Sequence, residues 1–155
     1  MLFGCSRAQT IKADNNSFHV TLFSNGYIYP DLEDGQTNTL SKQGLFNWKN
    51  SGKFTKTFFY PQQAGNIQVA LKLKSPEGTS KIKIQLDNIG KSYNVSINKS
   101  DDFITVPVGN FSIMHARYHY LEISGISKTG TYFPDIESLI ISGPAAKDLK
   151  YNLSE

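Results

Sequence analysis

The sequence predicts an all-β fold, an antiparallel two-sheet sandwich with jelly-roll connections. Three observations carry that prediction. Short runs rich in Val, Ile, Phe and Tyr recur along the chain, separated by Gly, Pro, Asn and Asp turn residues. Several runs alternate apolar and polar residues, the period of two that gives a strand one face for the core and one for water. No stretch sustains a 3.6-residue period, so helix content is expected to be very small.

Taken in order, Phe18 to Phe23 opens the series and Ser24-Asn25-Gly26 closes it as a turn. Phe54 to Tyr60 is the next strand and stops at Pro61, which has no N–H for a ladder. Gly65-Asn66 launches Ile67 to Lys74, whose odd positions are apolar and even positions mostly polar. After the turn Ser75-Pro76-Glu77-Gly78, Ile82, Ile84 and Leu86 line one side of a cleanly alternating run. Asp87 to Gly90 connects it to a returning strand with Tyr93, Val95 and Ile97 inward, which makes this pair the most secure hairpin. Phe103 to Gly109 and Arg117 to Ile123 add two strands, and Ile136 to Ser142 supplies the last, ended by Gly143-Pro144. Asp31 to Lys53 shows no clear strand and reads as one long polar loop, a common seat of function.

At 155 residues, 39% hydrophobic and 19% charged, the chain fits one folded domain with a full core. The expected layout is a flexible start over residues 1–10, a sandwich over 11–146 and a polar tail or linker over 147–155. The net charge is +3, and its lysines (Lys12, Lys42, Lys53, Lys72, Lys81, Lys99, Lys128, Lys147 among them) are scattered rather than clustered. Nucleic acid is therefore not an expected partner. No segment from Arg7 onward is apolar and long enough to span a bilayer.

Cys5 is the only cysteine, which excludes an internal disulfide and a thiolate metal cage. It closes Leu2-Phe3-Gly4-Cys5, the Leu-x-Gly-Cys pattern of a bacterial lipoprotein signal, in which the cysteine takes the lipid. Such a signal needs an apolar stretch of roughly 7–15 residues before the cleavage site. Only four residues precede Cys5, so residues 1–10 read either as the remnant of that signal or as a chance tetrapeptide at a flexible N-terminus. On the first reading the domain sits outside the cytoplasm, at the cell surface or in the periplasm, and meets membrane only through a lipid anchor.

For catalysis the sequence offers little. No nucleophile elbow, phosphate loop, dinucleotide fingerprint or zincin motif is present. His115 and His119, four apart in a strand, would stand about 13 Å apart, too far to share a metal. Asp135 and Glu137 point to one side of a strand start, but nothing further marks them as a glycosidase pair. Asp31, Glu33 and Asp34 gather hard oxygen ligands in a loop, which would suit a structural calcium ion; otherwise they form a solvated acidic turn. No other cofactor is expected.

Carbohydrate recognition fits better, since aromatic faces stack on sugar C–H surfaces while amides and hydroxyls read the rim. Trp48, the lone tryptophan, lies in the long polar loop between Asn47 and Asn50. It either offers a sugar platform or plugs one end of the core. Tyr27 and Tyr29 precede that loop, and Tyr132 follows the stretch Ser127 to Gly130. Tyr60, Tyr118 and Tyr120 sit in or beside strands and read as packing residues.

The run Gly44-Leu45-Phe46-Asn47-Trp48, then Phe58-Phe59 and Gly65-Asn66-Ile67, resembles a bacterial domain-of-unknown-function family, number 5077. The resemblance continues through Val106 to Gly109 and Tyr118 to Glu122. It is densest at Gly125 to Gly130, Tyr132 to Ile136 and Ile141 to Gly143, covering about Tyr27 to Ala146. It implies a galactose-binding-domain-like sandwich of the carbohydrate-binding-module kind, usually placed ahead of a family 3472 domain in secreted or lipid-anchored proteins. It supplies no catalytic residues. The function expected is non-catalytic glycan binding, with Trp48, Tyr27, Tyr29, Asn47 and Tyr132 as ligand residues and a second domain C-terminal in the full-length protein. The alternatives are a spacer or docking domain for a neighbouring catalytic domain, and a small glycoside hydrolase or lyase.

Overall fold

The computed structural model describes residues 17–29, 40–52, 54–88 and 90–153. Among these described residues there are eleven strands: β1 (Phe18–Thr21), β2 (Gly26–Tyr29), β3 (Leu40–Ser41), β4 (Gly44–Leu45), β5 (Phe54–Phe59), β6 (Gly65–Ser75), β7 (Ser80–Leu86), β8 (Ser92–Ile97), β9 (Ser100–Ile113), β10 (His119–Lys128) and β11 (Asp135–Ser142). One sheet has the order β3-β4-β11-β6-β9, with β1 also paired to β11; the other is β2-β5-β10-β7-β8. Every strand pair is antiparallel. From β4 to β7, and again from β8 to β11, each strand is followed by one in the opposite sheet. That alternation is the jelly roll, and the all-β sandwich expected from the sequence is the fold observed.

The core lies between the sheets. Ile67, Val69, Leu71 and Leu73 of β6 and Leu139 and Ile141 of β11 meet Ile82 and Ile84 of β7 and Leu121 and Ile123 of β10. Burying each such side chain contributes roughly 1.5–3 kcal/mol, and the two inner faces together close the sandwich. The hairpin β7–β8 pairs Ile82 with Val95 and Ile84 with Tyr93, as its pattern predicts.

Local departures from the expected strands have visible causes. The first strand ends at Thr21 rather than Phe23, because Leu22–Asn25 forms a single helical turn. Asn25 closes that turn by donating Nδ2–H to the Thr21 carbonyl, four residues back, at 3.0 Å. β9 is twice the expected length. Its register shifts opposite Val69 and Ala70, where Gly109 at φ 156° lies under the Tyr93 ring, less than 3 Å from where a Cβ would stand. Pro107 fits there because β9 is an edge strand. The long loop contains β3 and β4, and Leu45 and Trp48 within it are buried.

Past Ala146 the chain stays packed against the sandwich. Pro144–Ala146 makes a 3-10 turn, Leu149 is buried, and Lys150 forms an antiparallel bridge with Tyr60. Tyr151 packs edge-on against Phe18 and Asn152 is bound to Asn25, so the polar segment is part of the fold through Asn152. Leu121, fully buried on the central strand β10, should cost about 2–5 kcal/mol when replaced in Leu121→Ala. Urea unfolding with an unchanged m-value would show it; a loss below about 1 kcal/mol would mean that this part of the core collapses around the cavity.

Candidate functional site

The residues expected at a ligand site are separated by the fold. Trp48, Asn47 and Tyr132 stand together at the end of the sandwich where β10 leaves and β11 begins. Trp48 is 3% exposed; its ring packs 4.6 Å from Phe133 and its Nε1–H donates to the Asn50 carbonyl at 3.0 Å. Phe133 N–H donates in turn to the Trp48 carbonyl at 2.7 Å, and Gly125 leaves the space its ring fills. Trp48 is thus the plug of the core and shows no ring face to a sugar. An indole is too large an apolar surface to leave wet when a core vacancy adjoins it.

Above that plug, Asn47 is exposed at φ 55° and Tyr132 lies half-buried, with the Lys49 ammonium 5.4 Å from its ring. Asp135 has its carboxyl raised above the usual range chiefly by burial, opposed by Lys74 and by the Asn47 backbone N–H. Glu137 faces Lys72 at 2.9 Å instead, so the two carboxylates do not work as a pair. Asp31, Glu33, Asp34 and Cys5 lie outside the described residues, as does the side chain of Tyr29, whose backbone pairs with Phe54. Among the described residues no three His, Cys, Asp or Glu side chains gather around a common point.

Tyr27 belongs to a different surface, built by β5. In Phe54–Phe59 the pleat turns Thr55, Thr57 and Phe59 into the core and Lys56 and Phe58 outward. Two threonines are buried while an aromatic ring stays at the surface, the reverse of what burial alone favours. Neither threonine hydroxyl finds a partner among the described residues. Outside, Phe58 lies between Tyr27, stacked at 5.9 Å, and Tyr120, at 5.2 Å, directly across the ladder. Lys56 covers the Tyr120 ring at 4.8 Å and approaches Glu122 at 3.9 Å.

Tyr27 and Phe58 form one wall of a cleft of about 480 Å³, completed by Tyr118, Ser24 and the segment Lys150 to Asn152. Tyr27 is 44% and Tyr118 66% exposed, and Tyr118 is held edge-on by Tyr60 at 5.0 Å. The opposite wall is set by Asn25: its Nδ2 donates to the Asn152 carbonyl at 2.9 Å, and its Oδ1 accepts the Asn152 N–H at 2.6 Å. Asn152 Nδ2 donates to the Ser24 carbonyl at 3.1 Å. Such a volume lies within the roughly 300–1,000 Å³ of small-molecule sites. Exposed aromatic faces, a rim of hydroxyls and amides and one ammonium can stack on an apolar ring face and bond its substituents.

Of the residues lining this cleft, the sequence singles out Tyr27, reads Tyr118 as packing and leaves Phe58, Tyr151 and Asn152 unmarked as ligand residues. The phase of β5 was the available signal: Phe59 inward requires Phe58 outward, but the run Phe58-Phe59-Tyr60 leaves that phase open. His119 is 2% exposed, with Nδ1 on the Asp87 carboxylate and Nε2 on the His115 carbonyl. It pairs with Phe59 at the end of the sandwich opposite Trp48.

A family model described as domain of unknown function (DUF5077) matches residues 20–146. No curated protein matches the chain in sequence. Among solved structures, a family 35 carbohydrate-binding module (CBM35) from Cellvibrio japonicus Abf62 superposes with TM-score 0.62 at 12% identity, covering 90% of this chain and 99% of its own. CBM35 of Paenibacillus barcinonensis gives 0.57 at 12%, covering 83% and 98%. Xyl-CBM35 in complex with a glucuronic acid-containing disaccharide gives 0.58 at 12%, covering 89% and 99%. At these identities the likeness shows a shared sandwich fold.

Two outcomes test this geometry. Asn25→Ala should free Lys150 to Asn152, speed hydrogen exchange at the Asn152 amide and cost roughly 1–3 kcal/mol; unchanged exchange would show that Leu149 and Tyr151 suffice. Asp135 binds its proton more tightly folded than unfolded, so its contribution falls as pH rises through its carboxyl range. Asp135→Asn should therefore be more stable than the parent at pH 7 and show no such advantage at pH 3, read as denaturation midpoints.

Proposed function

The chain belongs to the DUF5077 family, and from that premise we propose that it is a non-catalytic carbohydrate-binding module. The observation that carries the reading is the inverted strand β5, which leaves Phe58 outside between Tyr27 and Tyr120 at the edge of an open aromatic cleft. Tyr27, Phe58 and Tyr118 stack on the sugar, while the Ser24 hydroxyl, the Asn152 amide and the Lys150 ammonium bond its hydroxyls. The module fold of the structural relatives supports the same role. One of them was solved with a disaccharide bound. Asn47, exposed, and Tyr132, half-buried, provide at the end of the sandwich a second, smaller polar edge that a longer glycan could reach.

A binding role without turnover is supported by the state of the ionisable groups. His119 has both ring nitrogens engaged, and Glu137 is paired with Lys72, so neither is free to serve as an acid or base. The proposal extends to context: an exported accessory domain, tethered through Cys5 and followed by a second domain whose substrate it keeps close. A calcium ion held by Asp31, Glu33 and Asp34 is part of the same proposal, and chelation tests it separately.

A glycan array with the purified domain, run with calcium and again with chelator, should give a related set of ligands. Tyr27→Ala and Tyr118→Ala should each weaken binding roughly tenfold, the loss of one stacked ring, in calorimetry against the best glycan. Both side chains are exposed, so the circular dichroism spectrum should not change. A blank array in both conditions would sink the glycan reading and leave a spacer or docking role.

A further inference from the structure

A second cleft, of about 460 Å³, opens at the end of the sandwich opposite Trp48. It lies where β7 ends, β9 ends and β10 begins. Its floor is Leu86 and Phe111, both buried, and Met114, 70% exposed, forms an apolar lip. Its rim carries the amides of Asn66 and Asn110, the Ser112 hydroxyl, and two cations, Lys91 and Arg117.

The charges of this rim are unbalanced because Asp87 is already committed. Its Oδ2 is held by His119 Nδ1, its Oδ1 accepts the Tyr120 N–H at 3.0 Å, and its own N–H donates to the Tyr120 carbonyl at 2.9 Å. Arg117 therefore meets Asp87 only at 3.7 Å, beyond hydrogen-bond length. Its Nη1 donates to the Tyr118 carbonyl at 3.0 Å, which fixes the guanidinium at the cleft mouth, and its Nη2 reaches Asp87 only as an ion pair without a hydrogen bond. Lys91 has no carboxylate within ion-pair distance among the described residues. It rests over the Tyr93 ring at 4.9 Å, and its hydrogen bond holds the Tyr93 hydroxyl below its ordinary range against the effect of burial. Tyr93 is in turn fixed to Asn110, donating O–H to its carbonyl at 2.8 Å and accepting its N–H at 3.1 Å.

From this arrangement we propose that the cleft is a second binding site, for a small organic carboxylate with an apolar body. The carboxylate lies between the Arg117 fork and the Lys91 ammonium, which suits a planar two-oxygen group. The body lies on Met114 and Leu86, and the Asn66 and Asn110 amides hold substituents at the rim. Asp87, so near the guanidinium, disfavours a doubly charged ligand more than a singly charged one. The site shares no lining residue with the aromatic cleft, so it stands whether or not glycan binding is found.

The test is a heteronuclear NMR titration of the labelled domain with benzoate, acetate and inorganic phosphate at matched ionic strength. Benzoate should give saturable shifts confined to the Asn66, Lys91, Asn110 and Arg117 region, with acetate weaker for want of an apolar body. Arg117→Gln and Lys91→Gln should each weaken benzoate roughly tenfold, while Tyr27→Ala leaves it unchanged. Both cations are exposed, and retained spectra will show that the variants fold. Unsaturable shifts, phosphate binding as tight as benzoate, or full binding by Arg117→Gln would each overturn the assignment.

Discussion

The interleaving of the two inner faces fixes what is left outside. β6 and β7 alternate, so filling the space between the sheets with their Ile, Leu and Val residues turns every second residue of these strands outward. The aromatic ladder across Tyr27, Phe58 and Tyr120 is a consequence of that pleat, since Phe59 must face the core. The buried hydroxyls of Thr55, Thr57 and Ser138, among those that find no partner among the described residues, mark where this phase runs against burial.

The two ends of the sandwich solve different packing problems. At one end Trp48 and Phe133 close the core with aromatic volume, and Gly125 provides the room. At the other, a polar assembly does the closing: the Asp87 carboxylate ties the β7–β8 turn to the start of β10 through His119 and the Tyr120 backbone. An apolar plug leaves no unmet hydrogen bonds and little chemistry. A polar closure leaves charged neighbours such as Arg117 at the surface: Asp87 hydrogen-bonds His119 and the Tyr120 amide and meets the guanidinium only as a 3.7 Å ion pair.

The aromatic cleft depends on chain ends that meet only in space. Asn25, in the turn after β1, holds Asn152 through its side-chain amide and carbonyl, and Tyr151 rests on Phe18. The family match ends at residue 146, so this wall is supplied by residues beyond the matched stretch.

By itself the sequence determined the fold class, the β7–β8 hairpin and the inward faces of β6, β7 and β8, because a period of two is local and its sign is set by residue type. It also pointed to Tyr27. Tertiary structure alone decided strand partners, since most consecutive strands lie in opposite sheets and their pairing is not written in neighbouring residues. It decided that Trp48 is buried, because whether a loop aromatic plugs a core depends on the vacancy beside it, here framed by Phe133 and Gly125. It decided the roles of Phe58, Tyr118 and Asn152 too. Each is an ordinary residue locally, and the cleft exists only where three distant segments are brought side by side.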